Sequence, residues 1–319
     1  MTNFFKNASK QFHSLFKVYD NTTNWGRILI FVLLLIILIV FFRSIQMPRK
    51  EGFEQQDKFL FKSPDQIYDN FYAGIYDFLV YNSMKDQYEV GEIVNKTTPS
   101  EESIILDVGS GTGHHVAEMQ KYDLKQILGI DISQSMVDKA KENYPDLDFK
   151  KGDALNINEF QPSSFTHIMC LYFTIYYFKD KTVFFKNCMS WLMRGGHLII
   201  HLVNRETFDP ILPPGNPLIF VSPQKYAKKR ITSTNVKFDT FTYSSNFELD
   251  TNKNIATFTE KFKDDDTGKT RKQEHILYME TQEEILRQAQ DAGFILQGKI
   301  DLLQCSYENQ YLYILSKPQ

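Results

Sequence analysis

A glycine-rich stretch is the part of this sequence best suited to bind a ligand. It reads LDVGSGTG over residues 106–113 and completes an apolar run that predicts a short buried strand. Glycines in such a turn let a ligand lie directly on the backbone, where a Cβ would block it, and the helix that follows points its N-terminal amides at that ligand. The stretch therefore predicts a ligand site, although the same glycines could serve only to make a tight turn.

Two details of this stretch bear on the kind of ligand. Asp107 stands at the end of the strand, where its charge would repel a pyrophosphate but would suit a ligand that carries an ammonium and a sulfonium. Gly113 comes one position earlier than the third glycine of the dinucleotide fingerprint. Both details favour a sulfonium nucleoside over NAD, which stays the alternative.

Further acids end the next two strands of the sequence. Asp131 closes LGID and could accept both hydroxyls of a ribose, which fits NAD equally well. Asp153 could accept from an adenine amino group, although taken alone it is more typical of a surface turn. The predicted ligand contacts are Asp107, Gly109, Gly111, Gly113, Asp131, Ile132, Asp153 and Ala154.

Candidates for catalysis follow the later strands, at the edge where open α/β sheets bind ligands. They are Tyr172, Tyr176 and His201. His201 could act as a base, but a histidine inside such a strand is more often a hydrogen-bonded core residue. We predict no metal site, because the adjacent pair His114 and His115 does not have ligand spacing.

The elements that must position these residues alternate regularly. From Ser103 to Val203 short apolar strands alternate with helices, which predicts a parallel sheet covered on both faces. Residues 207–280 break the pattern and predict a loop followed by an antiparallel meander. The segment Thr281–Ala292 then predicts a helix, with Thr281 and Glu284 in capping-box spacing, followed by two last strands. The expected fold class is α/β with an antiparallel insertion.

With these motifs in place, the chain from about residue 63 to its C-terminus resembles the class I S-adenosylmethionine-dependent methyltransferases, in particular their small-molecule branch. The motifs are LDVGSGTG, the acids Asp131 and Asp153, and the turn LMRGG at residues 192–196. The resemblance implies a Rossmann-like sheet of seven strands with the last one inserted antiparallel, S-adenosylmethionine as cofactor, and methyl transfer to a small-molecule or lipid-like acceptor. A non-catalytic protein that kept this fold is a further alternative.

The sequence departs from the family pattern at three places. Thr166 replaces the Asp that normally begins the fourth strand, and Arg194 replaces the Pro of the Pro-Gly-Gly turn. The segment CLYF at 170–173 stands where enzymes that methylate planar nitrogens carry an acidic or Asn residue before Pro-Pro-Tyr. The last departure argues against DNA adenine or glutamine as the acceptor.

Composition excludes some classes of protein. The chain has 319 residues and a net charge of -3, so it lacks the basic balance of a nucleic-acid-binding domain. Its three cysteines, Cys170, Cys188 and Cys305, have no CxxC spacing and each lies in an apolar run. They predict buried free thiols in a reducing compartment rather than disulfides or a zinc site.

One apolar segment lies apart from the rest. Ile28–Phe42 contains no polar residue and is bracketed by Arg27 and Arg43. It predicts a membrane-spanning helix over residues 25–47, between an N-terminal tail (1–24) and a linker (48–62) that leads to the methyltransferase domain (63–319). A buried core helix, a signal peptide and an interfacial helix are the alternatives, and each lacks its own sequence signature here.

The charges that flank this segment favour one orientation. Arg43, Arg49, Lys50, Lys58 and Lys62 follow it, whereas Lys10, Lys17 and Arg27 precede it. Because positive flanks stay on the cytosolic side, we expect the C-terminal domain in the cytosol, where S-adenosylmethionine is made.

Overall fold

The computed structural model describes residues 22–45, 53, 57–212, 224 and 227–319. The chain divides into two units, Met1–Arg49 and Lys50–Gln319. Residues 1–21 of the predicted tail, residues 48–52 and 54–56 of the predicted linker, and part of the predicted loop after residue 207 lie outside the described residues.

The first unit contains helix α1, Asn24–Ile45. This helix coincides closely with the predicted segment 25–47. Its large apolar side chains between Ile28 and Leu38 are 45–68% exposed, except for Ile30, which is partly buried. Within the described residues, no helix meets the combined length and apolarity that a membrane crossing requires.

The second unit contains two sheets and six longer helices among its described residues. The strands are β1 Phe59–Lys62, β2 Ile104–Val108, β3 Gln126–Asp131, β4 Asp148–Lys151, β5 Phe165–Cys170, β6 Leu192–Val203, β7 Ser233–Lys237, β8 Phe241–Asp250, β9 Ile255–Asp264, β10 Thr270–Tyr278, β11 Ile295–Asp301 and β12 Gln310–Ser316. The helices are α2 Asn70–Val80, α3 Ser83–Thr97, α4 His114–Gln120, α5 Gln134–Asn143, α6 Lys181–Trp191 and α7 Gln282–Asp291.

The larger sheet has seven strands in the order β11-β12-β6-β5-β2-β3-β4. β2 pairs in parallel with both β3 and β5, and β12 is inserted antiparallel between β6 and β11. This arrangement confirms the predicted seven-stranded sheet with its last strand antiparallel. The strand order reverses at β2, so the carboxyl ends of β2 and β3 border the crevice where sheets of this kind bind ligands.

Apolar side chains cover both faces of this sheet, as the continuous apolar strands require. On one face Val90, Val116 and Val137 bring α3, α4 and α5 against the sheet. On the other, Trp191 and Ile285 bring α6 and α7. The three cysteines are free and buried, as predicted.

The smaller sheet is the predicted insertion, with five strands in the order β1-β10-β9-β8-β7. Strands β8, β9 and β10 correspond to the predicted meander, and the structure adds β7 within what was predicted as loop. The linker prediction is wrong for Phe59–Lys62, because these residues pair in parallel with Thr270–Gln273. The short apolar run Phe59–Phe61 is consistent with a strand, but its partner lies some 200 residues later in sequence, beyond the reach of local reasoning.

Side-chain caps fix the start of several helices. Helix α2 begins at Asn70, because the side chain of Asp69 caps it by accepting from Tyr72 N at 3.1 Å. Ser133 caps α5 by accepting from Met136 N, and the predicted Thr281–Glu284 box is confirmed. Helix α3 was not predicted.

Candidate active site

The glycine-rich loop connects β2 to α4 through three left-handed residues. Gly109, Gly111 and Gly113 have φ angles of 70°, 54° and 92°. The amides of Gly109 and Ser110 donate to Ile130 O at 2.8 and 2.9 Å, which holds the loop against β3. The loop thus follows β2 directly, where the sequence predicted it.

The glycines serve two different purposes. A Cβ on Gly109 would lie 2.4 Å from Thr174, and one on Gly113 would lie 2.6 Å from Phe149, so these two positions are glycine because of packing. A Cβ on Gly111 would meet only Tyr76, at 3.8 Å. Gly111 is therefore the position where the backbone faces open space and a ligand could lie against it.

Asp131 is fixed beside this loop. Its Oδ2 accepts from Gly111 N at 3.1 Å, and its Oδ1 accepts from Ser133 N at 2.8 Å. Burial raises the pKa of Asp131, and these two backbone hydrogen bonds oppose the rise. The carboxylate is thus held at the mouth of the loop, with lone pairs left for further donors.

Asp107 lies at the inner end of the loop and is 2% exposed. Among the described residues nothing donates to its Oδ2. Burial raises the pKa of Asp107 to about 7, with a further increase from the charges of Asp131, Asp86 and Glu89, while His115 acts in the opposite sense. A buried carboxylate without a donor is costly, so this position favours a cationic ligand.

A charge-balanced cluster adjoins Asp107. His115 Nε2 lies 3.0 Å from Glu89 Oε2 and 3.6 Å from Asp86 Oδ1, and Lys85 Nζ lies 2.7 Å from Glu89 Oε1. Burial would lower the pKa of His115, but these carboxylates raise it to about 9. Although the side chains of Asp86, Glu89 and His115 come close enough to hold a cation, Lys85 and protonated His115 already neutralise the two carboxylates.

A cavity of about 610 Å³ opens at the carboxyl ends of β2, β3 and β4. Its wall includes six of the eight predicted contacts: Gly109, Gly111, Asp131, Ile132, Asp153 and Ala154. Asp107 lines a smaller adjoining cavity of about 70 Å³ that shares Gly109 and Gly111. Gly113 lines neither cavity, and a Cβ there would meet Phe149, so its predicted contact with a ligand stays a prediction.

The far end of the large cavity is more open. Asp153 is exposed, and its Oδ1 accepts from Leu155 N at 2.9 Å in a local turn. Ile132 is 65% exposed, which leaves its side chain available to cover a flat ring. These two residues lie where the adenine end of a nucleoside is expected.

A third cavity, of about 110 Å³, lies between the two sheets. We call it the aromatic pocket; its walls are mainly aromatic and aliphatic, with Tyr72, Tyr172, Phe173, Phe247 and Phe258 among them. Four residues line both this pocket and the large cavity: Tyr68, Tyr76, Thr174 and Tyr177. The two cavities therefore meet at one boundary.

Four side chains form a hydrogen-bonded chain at this boundary, which we call the relay (Tyr68, Tyr177, His275 and Glu260). Tyr68 Oη donates to Tyr177 Oη at 2.8 Å. Tyr177 Oη lies 2.7 Å from His275 Nδ1, and His275 Nε2 lies 2.7 Å from Glu260 Oε2. The relay connects the substrate side of the boundary to a carboxylate inside the smaller sheet.

Glu260 is completely buried. Its Oε1 accepts from Tyr243 Oη at 2.7 Å and its Oε2 from Gln273 Nε2 at 2.6 Å. Burial alone would raise the pKa of Glu260, but the hydrogen bond and charge of His275, with the bonds from Tyr243 and Gln273, lower it. Glu260 is therefore held as a carboxylate against which His275 can become positive.

The predicted catalytic candidates have different surroundings. Tyr172 lines the aromatic pocket, in a left-handed conformation with φ 51°. Tyr176 is buried and its Oη accepts from Val203 N at 2.8 Å, so it faces the core and lines none of the three cavities. His201 is also buried, contacts Tyr172 O through Nδ1, and has its pKa lowered to about 4, chiefly by burial. The surroundings of Tyr176 and His201 are thus those of core residues, and Tyr172 is the one of the three candidates that lines a described cavity.

Comparison with known proteins supports the class of the fold. Residues 106–200 match the model of a methyltransferase domain family. Demethylmenaquinone methyltransferase of Chlorobaculum parvum is 31% identical over 115 residues, which is 36% of this chain and 44% of the relative. The enzyme of the same name from Chlorobaculum tepidum is 34% identical over 109 residues, or 34% of this chain and 41% of the relative. The match thus spans less than half the length of either relative.

Solved structures match over more of the chain. An S-adenosylmethionine-dependent methyltransferase from Clostridium acetobutylicum superposes with a TM-score of 0.60 at 17% identity, covering 78% of this chain and 99% of its own. CalS10, an amino pentose methyltransferase from Micromonospora echinaspora solved with S-adenosylmethionine bound, gives a TM-score of 0.53 at 17% identity, covering 74% and 92%. The comparisons confirm the class I methyltransferase fold and S-adenosylmethionine as the cofactor of the proteins that this chain resembles.

Proposed function

We propose that this chain is an S-adenosylmethionine-dependent methyltransferase that acts on a small-molecule acceptor bound in the aromatic pocket. The observation that carries the proposal is the large cavity at the carboxyl ends of the parallel strands, lined by Gly111 and Asp131 and adjoined by the unpartnered carboxylate of Asp107. Cofactor and acceptor would then meet at the boundary shared by the two cavities.

The residues present fit this cofactor. Gly111 provides a backbone surface without a Cβ, and Asp131 provides carboxylate lone pairs for ribose hydroxyls. Asp107 provides a buried negative charge for the cationic amino-acid end. The bound cofactor supplies an electrophilic methyl group with a good leaving group, so the protein has mainly to align the acceptor and exclude water.

The experiment that separates this proposal from its alternatives is a binding and transfer assay. We expect calorimetry to show binding of S-adenosylmethionine and its demethylated product, and no binding of NAD. Binding of NAD instead would favour an oxidoreductase. No effect of either methyl-cofactor form on the melting temperature would favour a scaffold without catalysis.

Cofactor affinity should depend on pH through Asp107. Its pKa near 7 means that the free protein is partly protonated there, and only the ionised form attracts a cation. Affinity should be maximal above pH 7 and fall about tenfold between pH 8 and pH 6. His115, with a pKa of about 9, stays charged over this range. Calorimetry at several pH values measures how the cofactor affinity changes with pH.

The variant Asp107→Asn is the control for this prediction. It keeps the size of the side chain and removes the titrating charge, so its affinity should be lower and nearly independent of pH. A slope that persisted in Asp107→Asn would assign the titration to another group.

Asp131→Ala should weaken cofactor binding by about 1–3 kcal/mol, because two ribose hydroxyls lose a charged acceptor. Part of the loss should come from the loop, since Gly111 N and Ser133 N lose their acceptor too. Asp131→Asn retains a carbonyl for one amide and should be intermediate. Calorimetry measures both variants, and wild-type affinity in Asp131→Ala would show that the nucleoside is not held there.

The acceptor class follows from the pocket and from the curated relatives. The aromatic pocket is small and largely apolar, which suits a flat ring or the ring-shaped head of a larger, lipid-like molecule. Two relatives are named as methyltransferases of demethylmenaquinone, a molecule with a quinone ring. We therefore place the acceptor among small ring compounds, including quinone-like lipids.

Membrane attachment is a further part of the proposal. It is supported by the apolar run Ile28–Phe42 and by the exposure of the side chains described between Ile28 and Leu38. The flanking charges favour a single pass with the methyltransferase domain on the cytosolic side. A lipid-like acceptor would be consistent with such an attachment.

Deleting residues 1–50 tests this part by itself. The full chain should sediment with membranes, whereas the deletion variant should remain in the supernatant and bind S-adenosylmethionine with unchanged affinity, because the division into units falls at Arg49. Protease treatment of sealed vesicles should digest the domain from the cytosolic side. If the full chain stayed in the supernatant when membranes are sedimented, membrane attachment would be contradicted. If the domain were protected from the protease, the proposed orientation would be reversed.

A further inference from the structure

We infer that the relay removes a proton from a hydroxyl group of the acceptor, and that the acceptor is a small ring compound with a weakly acidic hydroxyl. This inference rests on the proposed function and assigns its proton acceptor. It gives His275 and Glu260, both in the inserted sheet, a place in the reaction.

The relay lies where a base is needed. Tyr68 and Tyr177 line both the large cavity and the aromatic pocket, so their hydroxyls border the place where acceptor and methyl donor must meet. His275 also lines the aromatic pocket and is 2% exposed. A group that receives a proton during transfer must be within hydrogen-bonding reach of the acceptor, directly or through such a chain.

The hydrogen bonds of the relay have a consistent direction. With Glu260 ionised, His275 Nε2–H donates to it and Nδ1 is left to accept from Tyr177; this tautomer is assigned from the network. Tyr177 Oη in turn accepts from Tyr68. Each proton then has one acceptor, and the free lone pair at the end of the chain belongs to Tyr68 Oη, next to both cavities.

The relay accounts for every proton and electron pair in the reaction. The acceptor oxygen uses a lone pair to form a bond to the methyl carbon, and the sulfur keeps the electrons of the broken carbon–sulfur bond. The hydroxyl proton passes to Tyr68, the Tyr68 proton to Tyr177, and the Tyr177 proton to His275 Nδ1. The product is a methyl ether and an imidazolium that is paired with Glu260 at 2.7 Å.

The aromatic pocket determines the class of acceptor. Its volume of about 110 Å³ is near that of a cavity of roughly 150 Å³ that takes up benzene, so it suits one ring. No Lys or Arg is among the described residues that line it, which disfavours an acceptor that enters the pocket as an anion. Asp209, its one lining carboxylate in the described part, already accepts from Ile211 N and Gln224 Nε2, which disfavours an ammonium. A neutral hydroxyl that loses its proton to the relay once it is bound fits both conditions.

The test uses the full chain and 4-nitrophenol, whose ionised form absorbs in the visible. At a pH where the free probe is mostly protonated, binding to the wild type in the presence of the demethylated cofactor should produce the phenolate absorption. His275→Gln should bind the probe without this absorption, and should lower kcat for methylation of phenol about 100-fold or more with little change in KM. Tyr177→Phe should have the same two effects as His275→Gln, because it interrupts the relay while leaving His275 and Glu260 paired.

The matched control is His167→Gln, the same substitution at a buried histidine at the start of β5, which lines none of the described cavities. It should retain the phenolate signal and wild-type turnover. If His275→Gln and Tyr177→Phe bound the cofactor and turned over as the wild type does, the role of the relay would be overturned and the proposed function would stand. If the wild type itself did not bind the cofactor, the proposed function would be overturned. Failure of 4-nitrophenol to bind, or transfer to anilines only, would overturn the hydroxyl acceptor.

Discussion

Gly111→Val should abolish detectable binding of S-adenosylmethionine while leaving the fold intact. Gly111 has φ 54°, and a Cβ there would point into the space where the cofactor is expected, with Tyr76 as its nearest neighbour at 3.8 Å. A branched side chain in that space would displace the ligand, and the left-handed conformation adds about 1–2 kcal/mol of strain. The obstruction should lower affinity by about 3 kcal/mol or more, which is over a hundredfold, whereas the strain should lower the stability of the fold. Calorimetry measures the loss, and the melting temperature measures the strain.

Gly268→Val separates strain from obstruction. Gly268 has φ 68°, lies in the turn between β9 and β10, and has nothing within 4 Å of its virtual Cβ. It should show a comparable fall in melting temperature with wild-type cofactor affinity. If Gly111→Val bound the cofactor as the wild type does, the site assigned to the glycine loop would be wrong.

The large sheet could be predicted from sequence because its signals are local. The central strands β2, β5 and β6 contain short apolar runs, and Asp131 and Asp153 stand at the ends of their strands, so their place at one edge of the sheet follows from parallel pairing. The role of Gly113 could not be predicted in this way. Only the three-dimensional position of Phe149, more than thirty residues later, shows that Gly113 is a packing residue.

The relay was missed because its members come from different parts of the chain. The sequence-based candidates Tyr172, Tyr176 and His201 include none of its four members. A signal was available: β10 buries alternate residues, and Arg271, Gln273 and His275 are polar at those positions. Polar residues on the buried face of a strand need partners, so this pattern indicates a buried polar network.

Helix α3 was missed for a related reason. Its residues Lys85, Asp86 and Glu89 are buried although they are charged. Because sequence periodicity assumes that charged residues mark the exposed face, such a helix does not show an apolar stripe. The charged side chains of this helix can be buried because Lys85 and His115 both pair with Glu89.

Arg271→Ala should destabilise the domain and weaken cofactor binding together. Arg271 is 3% exposed; its Nη1 donates to both oxygens of Asp69 at 2.9 and 2.8 Å, and its Nη2 donates to Ile67 O at 2.9 Å. Asp69 also caps helix α2, which carries Tyr76. Loss of a fully buried pair costs about 3–5 kcal/mol. Because the Asp69 side chain is 34% exposed, we expect about 2–3 kcal/mol here.

Lys272→Ala is the matched control for this effect. Lys272 follows Arg271 on the opposite face of β10, and it and its partner Glu274 are 37% and 32% exposed. Lys272→Ala should lower the free energy of unfolding by less than about 1 kcal/mol. For Arg271→Ala we expect a fall in melting temperature of about 5–10 °C, and lower cofactor affinity because Tyr68 and Tyr76 line the large cavity. A destabilised variant with wild-type cofactor affinity would show that the inserted sheet and the start of α2 can loosen without disturbing the cofactor site.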